Sequence, residues 1–367
     1  MDLTGLAQVY ASEGPFVTLY LETVSDVPDA AERYDLRWKN LHRELADLGV
    51  DAATIEALDA ARGGHPEGNT RVLVAAGGKV LLAESLPDRP QTEIVEVSAL
   101  PRLLPYCRAL DMRIPHVLVL ADRLGAELLT FTTKQAGAVE TETVDTGRHP
   151  WHKTGKGGWS TRRYEHTIQN NWEASARDIA DAATTLADDT GSPLIIAAGD
   201  VRAVTLLGEH LPQRLQDRYV VVPGGRGAEV DTETMHEHVQ TALVERAARD
   251  NQQVLASFAE ERGQQDRAAD GIEATIEALR RAQADILVLR DDVDESRTAY
   301  FGPEPLLLAS RPGQLKDLGV EAPQEGRMVD VLLRAAAATA AGVTVVPPES
   351  PDAPTEGAGA LLRYANG

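Results

Sequence analysis

Residues 148–172 read Arg-His-Pro-Trp-His-Lys-Thr-Gly-Lys-Gly-Gly-Trp-Ser-Thr-Arg-Arg-Tyr-Glu-His-Thr-Ile-Gln-Asn-Asn-Trp. Five basic side chains (Arg148, Lys153, Lys156, Arg162, Arg163) fall between positions 148 and 163, with no acid among them. The chain has a formal charge of -21, so with those five set aside the remainder sums to -26. Three of the four tryptophans (Trp151, Trp159, Trp172) also lie here, although aromatic residues make up only 4% of the chain. Positive charge, aromatic faces and glycine therefore coincide in one stretch of an otherwise acidic protein.

Each component has a use at a nucleic-acid surface. Gly155, Gly157 and Gly158 lack a Cβ, so the backbone can take positive φ and come close to a crowded target. Lys and Arg neutralise phosphate charge, while Trp and Tyr offer π-faces on which unpaired bases stack, at about 1–3 kcal/mol per base. That combination favours folded, partly single-stranded RNA over duplex DNA. The competing reading is an exposed loop whose charges are merely solvated. Trp172 is assigned to the core rather than to the loop, because Ile168, Trp172, Ala176, Ile179, Ala183 and Leu186 recur every three or four residues along one helical stripe.

Working outward, 367 residues are too many for one typical core and imply two or three domains. A hydrophobic content of 43% with 25% charged residues is ordinary for a folded soluble protein. No apolar run of membrane-spanning length and no secretory leader pattern is present, so the expectation is a cytoplasmic protein without a membrane partner. The single cysteine, Cys107, excludes an internal disulfide and any multi-cysteine metal site, and its neighbours Leu104, Tyr106 and Leu110 predict a buried thiol. Net charge of -21 argues against nonspecific wrapping of nucleic acid, so RNA contact must be local.

Three domains are expected: residues 1–112, 113–250 and 251–367. In the first, Phe16 to Glu22 alternates apolar and polar positions like a strand, Pro28 to Leu48 reads as a helix with Trp38, Leu41 and Leu45 on one face, and Gly77-Gly78 reads as a hairpin turn. In the second, strands are predicted at 117–121, 127–132 and 139–144, a long helix at 160–187, and an apolar strand at 194–198 that both faces should cover. Asp200 is a candidate N-cap for a helix over 201–211. In the third, Asp270 and Glu273 have capping-box spacing, Ile286 to Leu289 and Val343 to Val346 read as strands, and Pro347 to Pro354 as an exposed loop. The alternation predicts sheets layered with helices, an α/β chain.

The segment Gly155-Lys156-Gly157-Gly158-Trp159-Ser160-Thr161-x-Arg163-Tyr164, running into a long helix, resembles the Gly-Gly-Gln loop of archaeal and eukaryotic class-1 (Pelota-like) release factors, usually Gly-Arg-Gly-Gly-Gln-Ser-Ala-x-Arg-Phe. Ala198-Gly199-Asp200, Pro212-Gln213-Arg214-Leu215, Gly271 to Leu279 and Gly357 to Tyr364 resemble further segments of those factors, in the same order. The resemblance is to the bacterial branch, which includes the ribosome hibernation factor Balon. It implies an α+β N-terminal domain facing the decoding site, an RNase H-like α/β middle domain carrying the loop, and an L30e-like α/β C-terminal domain that binds a partner.

It also implies that Lys153, Gly155, Lys156, Gly157, Gly158, Trp159, Arg162, Arg163 and Tyr164 meet ribosomal RNA near the peptidyl-transferase centre of the 70S ribosome. An elongation factor Tu-like GTPase is the implied second partner. Trp159 stands where the family has its catalytic glutamine. Glutamine both donates and accepts hydrogen bonds, whereas indole presents one N–H donor and a wide apolar plane, so Trp159 cannot orient a water through a side-chain carbonyl. The backbone N–H at 159 remains and can still stabilise an oxyanion. Three readings stay open: a hibernation or protection factor in the ribosomal A site, a peptidyl-tRNA hydrolase or rescue factor, and a non-ribosomal RNA- or protein-interaction module.

Other chemistry is absent from the sequence. Gly155-Lys156 lacks the Walker spacing, His236-Glu237-His238 is not a zincin motif, and no Gly-x-Ser-x-Gly elbow occurs. His149, His152 and His166 have no tight ligand spacing. No cofactor, metal or catalytic side chain is expected, and no Asn-Ile-Lys-Ser type loop for stop-codon reading is found in the first domain.

Overall fold

The computed structural model of the chain describes residues 3–23, 30–63, 68–90, 92–122, 125–132, 138–145, 160–225, 232–293 and 296–365, with side chains undescribed at 4, 30, 31, 138, 145, 160–172 and 232. The chain is mixed α/β and divides into two compact units. One is Met112–Ala248; the other joins Met1–Asp111 to Arg249–Gly367.

The composite unit begins with α1 (Thr4–Tyr10), β1 (Phe16–Glu22), α2 (Ala30–Asp47), α3 (Ala52–Ala61), β2 (Thr70–Ala76), β3 (Lys79–Leu86), β4 (Ile94–Ser98) and α4 (Leu104–Asp111). Its strands form an antiparallel sheet in the order β3-β2-β1-β4. Gly77 (φ 56°) and Gly78 (φ 75°) both adopt positive φ at the β2–β3 turn, the conformation a two-residue hairpin requires. Asp51 caps α3 by accepting from the Thr54 N–H at 2.9 Å.

On one face of this sheet Val17, Leu19 and Leu21 pack against Trp38, Leu41 and Leu45 of α2. Alternation usually marks a strand with one wet face. Here the polar positions of β1 are covered as well: Thr18 is 0% and Tyr20 2% exposed. Tyr20 Oη donates to the Arg102 carbonyl at 2.9 Å and accepts from the Tyr106 N–H at 3.2 Å, while Thr18 Oγ1 accepts from the Arg102 N–H at 3.3 Å. Polar side chains survive on a buried face because each has backbone partners.

The middle unit contains β5 (His116–Ala121), β6 (Gly125–Phe131), β7 (Ala138–Asp145), α5 (Ser160–Thr190), β8 (Leu194–Gly199), α6 (Val201–His210), α7 (Gln213–Gln216), β9 (Tyr219–Val221) and the first part of α8 (Thr232–Gln264). The sheet order is β7-β6-β5-β8-β9. β5–β6 and β6–β7 are antiparallel, whereas β5–β8 and β8–β9 are parallel. That is the RNase H-like arrangement which the family resemblance implied. β8 is buried on both faces, as its unbroken apolar run predicts: Ile195 and Ala197 join α5 and α6, and Ile196 and Ala198 join α8.

The rest of the composite unit comprises β10 (Ala268–Asp270), α9 (Ile272–Arg280), β11 (Ala284–Arg290), β12 (Thr298–Phe301), β13 (Leu308–Ala309), α10 (Pro312–Asp317), β14 (Gln324–Arg327), α11 (Met328–Ala338), β15 (Gly342–Val346) and, after a 3-10 turn at Thr355–Gly357, β16 (Ala358–Leu362). A mixed sheet has the order β10-β16-β11-β15, and β13-β12-β14 make a smaller one. The expected capping box at Asp270 does not form. Asp270 ends β10 and accepts from the Thr355 N–H at 2.7 Å, and Gly271 (φ 85°) is the N-cap of α9. The orphan Ile272 N–H is met instead by the Glu356 carboxylate at 3.2 Å, a partner 84 residues away, while Glu273 accepts from Ser310. Local spacing named the helix start correctly and the capping group wrongly.

Candidate nucleic-acid interface

The basic loop connects β7 to α5. Residues 146–159 lie outside the described residues, and so do Lys153, Gly155, Lys156, Gly157, Gly158 and Trp159. Arg162, Arg163 and Tyr164 fall in the first turns of α5, whose backbone is described there although its side chains are not. What the structure shows is the mount on which this loop is carried.

One side of the mount is β7, at the edge of the sheet, in antiparallel register with β6 from Gly125↔Asp145 to Phe131↔Ala138. Its residues Glu140, Thr141, Glu142 and Thr143 are exposed. Charged side chains on an edge discourage pairing with a foreign strand. They also make the strand that precedes the cationic stretch 148–163 anionic.

The other side is α5, 31 residues long and therefore about 45 Å at 1.5 Å per residue. Its C-terminal half is fixed by Ala176, Ile179, Ala180, Ala183, Leu186 and Ala187, all 5% exposed or less. Ile179, Ala180, Ala183, Leu186 and Ala187 pack on Val117, Val119, Leu128 and Ile195 of the sheet and on Val204 and Leu207 of α6. Four positions of the stripe seen in the sequence are thus core; Ile168 and Trp172 belong to the part of α5 without described side chains. The C-terminus of α5 is held by a two-pronged contact: Asp188 accepts from Arg214 at 2.7 and 2.6 Å, and the guanidinium holds the Asp188 carboxyl below the usual carboxylate range. Gly191 follows at φ 63°, the left-handed residue that closes many helices.

The other segments that carried the family resemblance turn out to be framework. Gly199 approaches β5 so closely that a Cβ there would lie 1.7 Å from the Ala121 carbonyl oxygen. Asp200 caps α6, accepting from the Arg202 and Ala203 N–H groups. Leu215 is 1% exposed in the core beside α5 and α6. Gly271 to Leu279 supplies α9 with buried Ile272, Thr275, Ile276 and Leu279, and Gly357 to Tyr364 supplies β16, whose Gly359 lies against Phe258. These motifs preserve close approaches and caps; they do not present reactive groups.

Sequence reasoning passed over His116. It is 6% exposed at the start of β5, its ring stacked on Phe131 at 4.4 Å and its Nδ1 2.8 Å from the Ile114 carbonyl oxygen. Burial lowers its pKa, so it is held neutral. A lone histidine carries no local signal; only the pairing His116↔Phe131 between β5 and β6 explains it. Cys107 is buried as expected, and burial pushes its thiol well above the ordinary range. Among the described residues no group of three or more His, Cys, Asp or Glu is placed to hold a metal ion, and His236 and His238 are exposed on α8. His149 and His152 lie outside the described residues, as does the side chain of His166. No helix among the described residues is long and apolar enough to cross a membrane.

Residues 115–264 match the family model described as bacterial archaeo-eukaryotic release factor family 2. The uncharacterized protein Rv2629 of Mycobacterium tuberculosis (strain ATCC 25618 / H37Rv) is 29% identical over 367 residues, covering 98% of this chain and 96% of that protein. Among solved structures, Dom34 of S. cerevisiae, a translation termination-like factor, is 11% identical with a TM-score of 0.40, covering 100% of this chain and 94% of that one. Archaeal Pelota, in a model of ribosome-bound Pelota and ABCE1, is 12% identical with a TM-score of 0.40, covering 100% and 95%. Residues 115–264, which contain β7, the basic stretch 148–163 and α5, are thus similar to bacterial archaeo-eukaryotic release factor family 2.

Proposed function

We propose that the chain is a ribosome-binding translation-factor homologue that occupies the A site and idles or protects the ribosome, with Trp159 in place of the catalytic glutamine. The observation that carries this reading is the family match over residues 115–264, which spans the loop and both sides of its mount. In this reading Lys153, Lys156, Arg162 and Arg163 neutralise rRNA phosphates. Gly155, Gly157 and Gly158 let the backbone approach, and Trp159 and Tyr164 stack on bases near the peptidyl-transferase centre. The body repels phosphate and only the tip attracts it, so docking is confined to one orientation. Without a side-chain acceptor at 159, the factor fills the site rather than driving hydrolysis there. An elongation factor Tu-like GTPase, met through residues 251–367, is the proposed delivering partner, and the cytoplasm the proposed compartment.

Co-sedimentation with purified 70S ribosomes tests the reading. Binding is expected at physiological ionic strength. Lys156→Glu and Arg163→Glu should weaken it regardless of mRNA sequence and reduce the salt slope by roughly one per lost phosphate contact. Equal binding by the variants would remove the roles given to the loop. Release of labelled peptide from stalled ribosomes, abolished by loop changes, would replace idling with peptidyl-tRNA hydrolysis.

A further inference from the structure

We infer that residues 1–111 and 249–367 open and close as one body, so that any ligand engaging the C-terminal sheet is also felt at the N-terminal sheet. The inference rests on contacts inside this unit and is independent of whether the ribosome is the partner.

A single apolar cluster runs through both halves. It links Val9 of α1, Tyr20 of β1 and Leu104 of α4 to Leu289 of β11, Leu332 of α11 and Val343 of β15, each 8% exposed or less. Polar groups cross the same boundary. Asp111, at the end of α4, accepts from the Val345 N–H at 3.0 Å, and Arg108 pairs with Asp291. Arg327 joins Glu96 of β4 at 2.6 Å to Asp330 of α11 at 2.7 Å, and Asp330 is 1% exposed. Tyr10 is buried beside Asp330, and burial together with that carboxylate raises its hydroxyl well above the ordinary range.

Separating the halves would wet the shared cluster and pull Glu96 away from Arg327, leaving a largely buried charge network incompletely matched. Neither sheet can therefore open without exposing surface that belongs to the other. Opening of the first sheet and of the last then share one free-energy level in the exchange hierarchy. Mass action follows: a ligand that binds only the closed C-terminal half stabilises the N-terminal sheet by the same factor.

Native-state hydrogen exchange on the full chain, at increasing sub-denaturing concentrations of denaturant, tests this. The amides of Leu19 and Leu73 in the first sheet and of Val288 and Val343 in the last are expected to merge into one opening constant with one denaturant slope. Leu104→Ala should raise opening at both sheets by the same factor, on the order of 100-fold. The inference is overturned if the first sheet merges at a larger opening constant and smaller slope than the last, or if Leu104→Ala accelerates exchange in the first sheet alone. Should that variant not fold, the wild-type isotherms decide by themselves.

Discussion

The middle unit and the composite unit solve the same problem with opposite use of sequence. In the middle unit, the contiguous residues 112–248 supply both the sheet β7-β6-β5-β8-β9 and the helices that cover its two faces. The composite unit joins the two ends of the chain, so that β1 is covered on its polar face by residues from α4 and the C-terminal half. A contiguous unit can vary its surface loops while its core stays fixed, and the basic loop lies in that unit. The discontinuous unit places its polar side chains where only distant backbone can satisfy them.

The contrast can be broken most sharply in the cores. Leu128→Ala, at a position 0% exposed between β6 and α5, should destabilise the middle unit by about 2–5 kcal/mol, from lost burial and the cavity left behind. Hydrogen exchange should show faster opening at Val119 and Ile196, with the amides of β11 and β16 unchanged. Loss of protection throughout would mean that the two units do not open separately.

A smaller effect is expected from Tyr20→Phe. It keeps the ring but removes both hydroxyl contacts, to the Arg102 carbonyl and from the Tyr106 N–H, at a cost of about 1–3 kcal/mol in denaturant unfolding. A neutral result would show that this face of β1 admits water, and with it that the composite core is looser than described.

The smallest effect is a pH dependence in the middle unit. His116 has a folded pKa below its ordinary 6.5, so below that pH the unfolded chain binds a proton that the folded chain refuses. Stability should therefore fall as pH drops through 6.5 toward the folded pKa, with a slope of at most about 1.4 kcal/mol per pH unit for one proton. His116→Phe should flatten that part of the profile, and an unchanged slope would assign it to other groups.

Much of the middle unit was legible because its signals are local. The unbroken apolar run at Leu194–Ala198, the N-cap at Asp200 and the three- and four-residue recurrence through Ile179, Ala183 and Leu186 all rest on neighbouring side chains. Other features were not legible. α1, β4, α4 and the small β13-β12-β14 sheet are short, and their burial depends on segments far away in the chain. The cap of α9 shows why: Asp270 has the right spacing, yet the chain from Pro354 to Gly357 brings Glu356 to the helix start and uses Asp270 to hold Thr355. In the candidate interface, residue types and order named the loop, whereas its flanking framework revealed what the accompanying motifs are for.

The sequence by itself determined the helix and strand periods, the concentration of positive charge at 148–163 in an acidic chain, and the tryptophan that follows the glycines at 155, 157 and 158. These depend only on which side chains lie within a few residues of each other. Tertiary structure alone decided that both faces of β1 are dry, that the two chain ends share a core, and that Glu356 caps α9. Burial and hydrogen-bond satisfaction depend on what comes near in space, and no local pattern specifies a neighbour tens or hundreds of residues away.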